Sequence, residues 1–253
     1  MRNAIMFYDM PQYRDFWAAV QQLDVPFYLH PRAALPEHDP AYQGQPWPTG
    51  SIWGFTAGTS VHALRLMGSG LFDDNPKLKI ILGHLGEGLP FTLPRLEHRL
   101  HMQRDGTGLG AAQEPVSHHF NRNFLITTSG HFHTRTLECA IAEIGSDRVM
   151  FSVDYPYETM QEAAGWFDAS LLCHNDRLKV GRTNAARVFG IDPGDRATGH
   201  NEQQRLLNLD ARGPLAWSSR VIADRNDYSS VDALLDQLVG PRDVVERNAF
   251  RDP

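Results

Sequence analysis

Three short apolar runs in this chain each lead into a residue able to ligate a metal or carry a proton. Val25-Pro26-Phe27-Tyr28-Leu29 leads into His30, Lys79-Ile80-Ile81-Leu82-Gly83 into His84, and Val149-Met150-Phe151-Ser152-Val153 into Asp154. Short β-prone runs separated by helical stretches read as parallel strands buried on both faces. In a parallel α/β barrel, a polar side chain at the C-terminal end of a strand sits where catalysis takes place. Three such residues on separate strands of one sheet can face a common pocket.

The intervening segments supply the helices. Asp9 and Pro11 mark a helix start, followed by an apolar stripe of Phe16, Trp17, Val20 and Leu23. Residues 31–57 form a long connection rich in Pro and Gly that carries Trp47 and Trp53, the length of a lid or binding loop. Further helices are expected around Ser60–Met67, over the Leu89, Leu93, Leu96 stripe with irregularity at Pro90 and Pro94, over Thr134–Ile144, and near 158–171 and 175–189. Phe124–Thr128 is a fourth strand. Four strand-plus-helix units imply a parallel sheet with right-handed crossovers, half of an eight-stranded barrel. The expected fold is therefore α/β, with the half-barrel over residues 1–191. Residues 192–253 form a polar tail, too thin in apolar residues to fold alone, with one short helix at Ser229–Leu238.

A net charge of -6 argues against a nucleic-acid backbone as the main partner. No run reaches the length of a membrane span and the first residues turn polar too soon for a signal peptide, so a cytoplasmic protein is expected. Two cysteines, Cys139 and Cys173, make neither a disulfide framework nor a metal cluster and read as reduced core thiols.

The candidate residues each have two readings. His30 is either a ligand aimed by its strand end or a core histidine bonded to a carbonyl. His84 lies in Gly83-His84-Leu85-Gly86-Glu87-Gly88, where small neighbours allow close approach of a substrate. Glu87 either hydrogen-bonds that ring, fixing its tautomer, or is a carboxylate favoured at a helix N-terminus. Asp154, directly after an apolar run, is either paired or ligating, or a capping residue. Arg95 is a surface residue or a bidentate donor to a substrate carboxylate. Trp47, Trp53, Tyr155 and Tyr157 wall an aromatic pocket or simply pack. His131 and His133 are a weak His-x-His pair, and His98, His101, His118 and His119 read as helix-surface residues.

Several motifs in order resemble the amidohydrolase-superfamily decarboxylases, nearest the ortho-hydroxybenzoate type that acts on γ-resorcylate or 2,3-dihydroxybenzoate. They are Tyr28-Leu29-His30-Pro31-Arg32, Ile81-Leu82-Gly83-His84-Leu85-Gly86-Glu87, Ile126-Thr127-Thr128-Ser129-Gly130, Phe151-Ser152-Val153-Asp154-Tyr155-Pro156-Tyr157-Glu158 and Gly181-Arg182-Thr183-Asn184-Ala185-Ala186-Arg187-Val188-Phe189, within residues 6–191. The resemblance implies the C-terminal half of a TIM-like (β/α)8 barrel, its strands 5–8. It implies His30 and Asp154 as ligands of a divalent metal, zinc or manganese, without an organic cofactor. It makes His84, Glu87 and Asp154 catalytic, and places Arg95, Trp53 and Tyr157 near a small aromatic acid substrate. The expected reaction is metal-dependent, non-oxidative loss of carbon dioxide, in a homo-oligomer (dimer or tetramer).

The family pattern also has a Glu-x-His ligand pair on its first strand, which this sequence lacks, so an N-terminally shortened chain is expected. Two alternatives follow: a metal-dependent hydrolase of the same superfamily, or an inactive or partner-dependent half-barrel.

Overall fold

A computed structural model describes residues 7–32, 42–102 and 110–191. The chain divides into two units, Met1–Pro193 and Gly194–Pro253. The second, with the Ser229–Leu238 helix expected there, lies outside the described residues.

The first unit is built on a parallel sheet of four strands in the order β1 (Phe27–Tyr28), β2 (Ile80–Leu82), β3 (Phe124–Thr127) and β4 (Val149–Met150). Phe27 stands opposite Ile80, Ile81 opposite Leu125, and Ile126 opposite Val149. Strand order that follows chain order is what successive right-handed βα crossovers produce. The sheet is thus the parallel α/β arrangement expected from the apolar runs, with assigned strands shorter than those runs. The ladder continues past them, since Leu29 N–H donates to Ile81 O at 2.9 Å and Thr128 N–H to Met150 O at 3.0 Å.

Alternation along each strand divides the side chains between two faces. Ile80, Leu82, Phe124, Ile126 and Val149 join the large core, while Ile81, Leu125 and Met150 form a smaller cluster against Ala185 and Val188. The large core is closed by α1 (Arg14–Gln22), α2 (Gly54–Gly68), α5 (Leu89–Met102), α6 (Val116–Asn123), α7 (Thr134–Ile144) and α8 (Met160–Ala169). Phe120 stacks on Phe124 with ring centroids 5.2 Å apart, tying α6 to β3. Full burial of such a ring contributes roughly 1.5–3 kcal/mol. Trp17, fully buried, donates its indole N–H to Tyr8 O at 2.7 Å, which satisfies the one polar atom it brings into the core.

Several expectations need correction. Leu23 is 51% exposed because α1 ends at Gln22, one residue before the stripe would return to the core. Cys139 and Cys173 are exposed, not core thiols. His119 is buried on the inner face of α6, packed against Phe72, whereas His98, His101 and His118 are exposed. Burial lowers the His119 pKa. The short helix α3 (Leu71–Asp74) was not anticipated, being too short to show a clear apolar period. Pro94 lies inside α5 without ending it. No helix among the described residues is long and apolar enough to cross a membrane.

Candidate active site

The chain leaves β2 through Gly83 into a one-turn segment, α4 (His84–Glu87), that winds the wrong way for L-residues. His84, Leu85, Gly86, Glu87 and Gly88 have φ of 49°, 53°, 80°, 56° and 74°. Each non-glycine residue held there costs roughly 1–2 kcal/mol, so surrounding contacts must over-determine the turn. Leu85 is buried in the large core, and Gly86 N–H donates to Gly83 O at 2.7 Å. A Cβ on Gly86 would stand 3.0 Å from both Ile126 Cγ2 and Pro90 Cδ, so this position needs glycine for space as well as for its φ.

The reversed turn brings Glu87 back beneath His84. His84 Nδ1 lies 2.7 Å from Glu87 Oε1, and the Glu87 side chain is fully buried. The carboxylate only accepts, so the ring carries its proton on Nδ1 and donates it there. Glu87 is therefore the ring's partner rather than a helix N-terminal carboxylate. Its other oxygen, Oε2, accepts from Thr56 Oγ1 at 2.8 Å, and its carbonyl lies 2.7 Å from Ser60 Oγ.

His84 Nε2 faces Asp154 Oδ2 at 3.5 Å across the sheet end. Asp154 has φ 78°, so it too is held in the left-handed region, after β4. Between the two runs the Ser129-Gly130 turn after β3. A Cβ at Gly130 (φ +62°) would stand 3.2 Å from Asp154 Oδ2 and 3.5 Å from His84 Cδ2, which only glycine avoids. The Glu87 hydrogen bond, with smaller contributions from the Glu87 and Asp154 charges, raises the His84 pKa above its ordinary value against the opposing effect of burial.

Beside this centre Tyr28 OH lies 2.9 Å from Thr127 Oγ1 and 3.3 Å from Ser129 Oγ, with the latter two 2.7 Å apart. A hydroxyl triangle of this kind carries no sequence signature, since Thr and Ser at strand ends are common. Thr56 and Ser60 were missed for a different reason: the sequence reading put Thr56 in the 31–57 connection and Ser60 at the start of a helix, whereas α2 begins at Gly54 and carries both.

Of the other expected residues, His30 is exposed, its Nδ1 2.7 Å from Pro31 O. Among the described ion pairs Asp154 meets His84 and not His30. Trp53 and Arg95 line a largely apolar groove of about 400 Å³ whose wall includes Glu87 and Thr56. Tyr157 is 81% exposed and is not part of that groove. His133 caps α7, accepting the Thr136 N–H. Among the described residues no group of three or more His, Cys, Asp or Glu side chains is placed to hold a metal ion.

Both the sequence and the fold that carry these residues are similar to those of known proteins. The amidohydrolase family matches residues 3–191. The chain belongs to that family. Within it, the chain is 52% identical over 187 residues to a gamma-resorcylate decarboxylase of Rhizobium radiobacter, covering 74% of this chain and 57% of the relative. The crystal structure of a 2,6-dihydroxybenzoate decarboxylase from Rhizobium superposes with a TM-score of 0.72 at 51% identity, covering 75% of this chain and 58% of that one. A dihydroxybenzoic acid decarboxylase from Polaromonas, solved with bound manganese and the inhibitor 2-nitroresorcinol, gives 0.72 at 50% identity, covering 75% and 57%. The chain thus spans a little over half the length of these amidohydrolase-family relatives.

Proposed function

We propose that this chain carries the proton-handling part of a decarboxylase acting on a hydroxylated aromatic carboxylic acid. The observation that carries the reading is His84 held between two carboxylates, Glu87 on Nδ1 and Asp154 on Nε2. Loss of carbon dioxide from an ortho-hydroxybenzoate needs a proton delivered to the ring carbon that bears the carboxylate. The carbon–carbon bond then breaks, its electron pair returns to the ring, and aromaticity is restored. Asp154, partly exposed and next to His84, is the donor in this reading. His84 resupplies it through Nε2, and the buried Glu87 holds the imidazolium form. Arg95 and Trp53 in the neighbouring groove, and Tyr157, are the proposed substrate contacts.

The relatives' manganese raises the question of a divalent metal here, zinc or manganese. His30 and Asp154 are the donors this chain would contribute, without an organic cofactor. A catalytic ion is ordinarily held by three protein ligands, and the described residues offer no such group. By themselves they do not fit the ion, and no step above runs through it.

The same shortfall favours one second reading, a half-barrel completed by a partner chain. The proposed architecture is the C-terminal half of a TIM-like barrel over residues 1–191, with 192–253 as an appendage, in a cytoplasmic homo-oligomer. Incubating the purified chain with 2,6-dihydroxybenzoate and manganese, and following resorcinol and carbon dioxide, tests the decarboxylase reading. Turnover lowered roughly 10²-fold or more by Asp154→Asn supports it. Lactone or amide hydrolysis in its place would move the chain to hydrolase chemistry, and turnover only after a second chain is added would favour the partner-dependent form.

A further inference from the structure

The His84–Glu87 pair is held from outside by two hydroxyls that the proposed chemistry does not use. Thr56 and Ser60 stand one helical turn apart on α2, so both side chains project from the same side of that helix. Thr59, His62, Ala63, Leu66 and Met67 anchor the helix in the core. Thr56 Oγ1 donates to Glu87 Oε2 at 2.8 Å. Ser60 Oγ lies 2.7 Å from Glu87 O and 2.7 Å from Thr56 O, so its single proton serves the backbone of the left-handed turn or of its own helix. One hydroxyl therefore fixes the carboxylate, and the other lies within hydrogen-bond distance of the strained backbone that presents it.

We propose that Thr56 is a positioning residue for His84, acting through Glu87. A carboxylate free to rotate about its terminal bond shares its oxygens between donors. With Oε2 taken by Thr56, Oε1 is left for His84 Nδ1–H, and the ring is held with Nε2 toward Asp154. The Glu87 side chain is fully buried, so removing the Thr56 hydroxyl takes from Oε2 the donor that holds it. The inference rests on His84 as the proton-handling group, but its test needs no turnover and stands or falls apart from the decarboxylase assay.

The test is the exchange rate of the His84 Nδ1 proton, read by NMR on the full chain labelled with nitrogen-15 at histidine. The resonance is assigned by its disappearance in His84→Gln. The wild-type chain should show a downfield, slowly exchanging proton. Thr56→Val should speed its exchange about tenfold, and Thr56→Ser, which keeps the hydroxyl, should restore the wild-type rate. Thr56→Ala carries the same comparison if the valine variant does not fold. A purely structural Thr56 would lower the unfolding midpoint and leave this proton unmoved. That result, or a wild-type chain with no protected Nδ1 proton, overturns the proposal.

Discussion

His84 and Asp154 meet across the end of the sheet, Nε2 to Oδ2 at 3.5 Å, and each does so from a left-handed backbone, φ 49° and 78°. Neither conformation is one an L-residue takes without constraint. Two separate strands thus end in strained residues whose side chains converge on one point, and sites of this kind are where proteins retain such strain.

The raised pKa of His84 has a ranked cause that mutation can check. Glu87→Gln removes the largest contribution, its hydrogen bond to the charged ring, and Asp154→Asn a smaller one. The imidazole pKa should therefore fall in both variants, further in Glu87→Gln than in Asp154→Asn. Histidine chemical shifts followed through a pH titration give the order directly. The reverse order would assign the main interaction to Asp154.

His62 makes stability fall in mild acid. Its Nε2 accepts the Tyr8 N–H at 2.9 Å, and burial, with the Arg32 charge next in size, lowers its pKa to about 4. The unfolded chain titrates near the ordinary histidine value, ~6.5, and so binds the proton more readily than the fold does. This contribution is complete above that value and is lost as the pH falls from ~6.5 toward the folded pKa. Denaturant unfolding should show about 2 kcal/mol lost at mildly acidic pH relative to slightly alkaline pH from this group alone. His62→Gln should flatten that part of the profile.

The core and the surface thiols make opposite predictions. Phe120→Ala removes a fully buried ring stacked on Phe124 and should cost about 3–5 kcal/mol in equilibrium unfolding. Cys139→Ser and Cys173→Ser, at exposed positions, should each stay within about 0.5 kcal/mol of wild type. Both thiols should react with a disulfide reagent in the native protein, without unfolding.

The strands were legible because each needs a pattern that few other structures share. A run such as Ile80-Ile81-Leu82, buried on both faces and closed by Gly-His, has little alternative to a central parallel strand. The pairing of His84 with Glu87 could also be anticipated, though its route could not. Three-residue spacing suits a right-handed helix, whereas the contact here is made by a left-handed turn that depends on Gly86 and on distant Ile126 and Pro90. Thr56 and Ser60 were invisible because their partner lies 31 and 27 residues away. His119 was misplaced because α6 is short and carries polar residues around most of its circumference, which hides its inner face.

The most direct test of the central claim is decarboxylation of 2,6-dihydroxybenzoate in deuterium oxide with manganese present, comparing the wild-type chain with Asp154→Asn. Proton delivery by Asp154 gives resorcinol carrying solvent deuterium at the carbon that lost the carboxylate, and a rate roughly 10²–10⁴-fold lower in the variant, the range for loss of a positioned general acid. Wild-type chain that releases no carbon dioxide under these conditions, or an Asp154→Asn variant as fast as wild type, would contradict it.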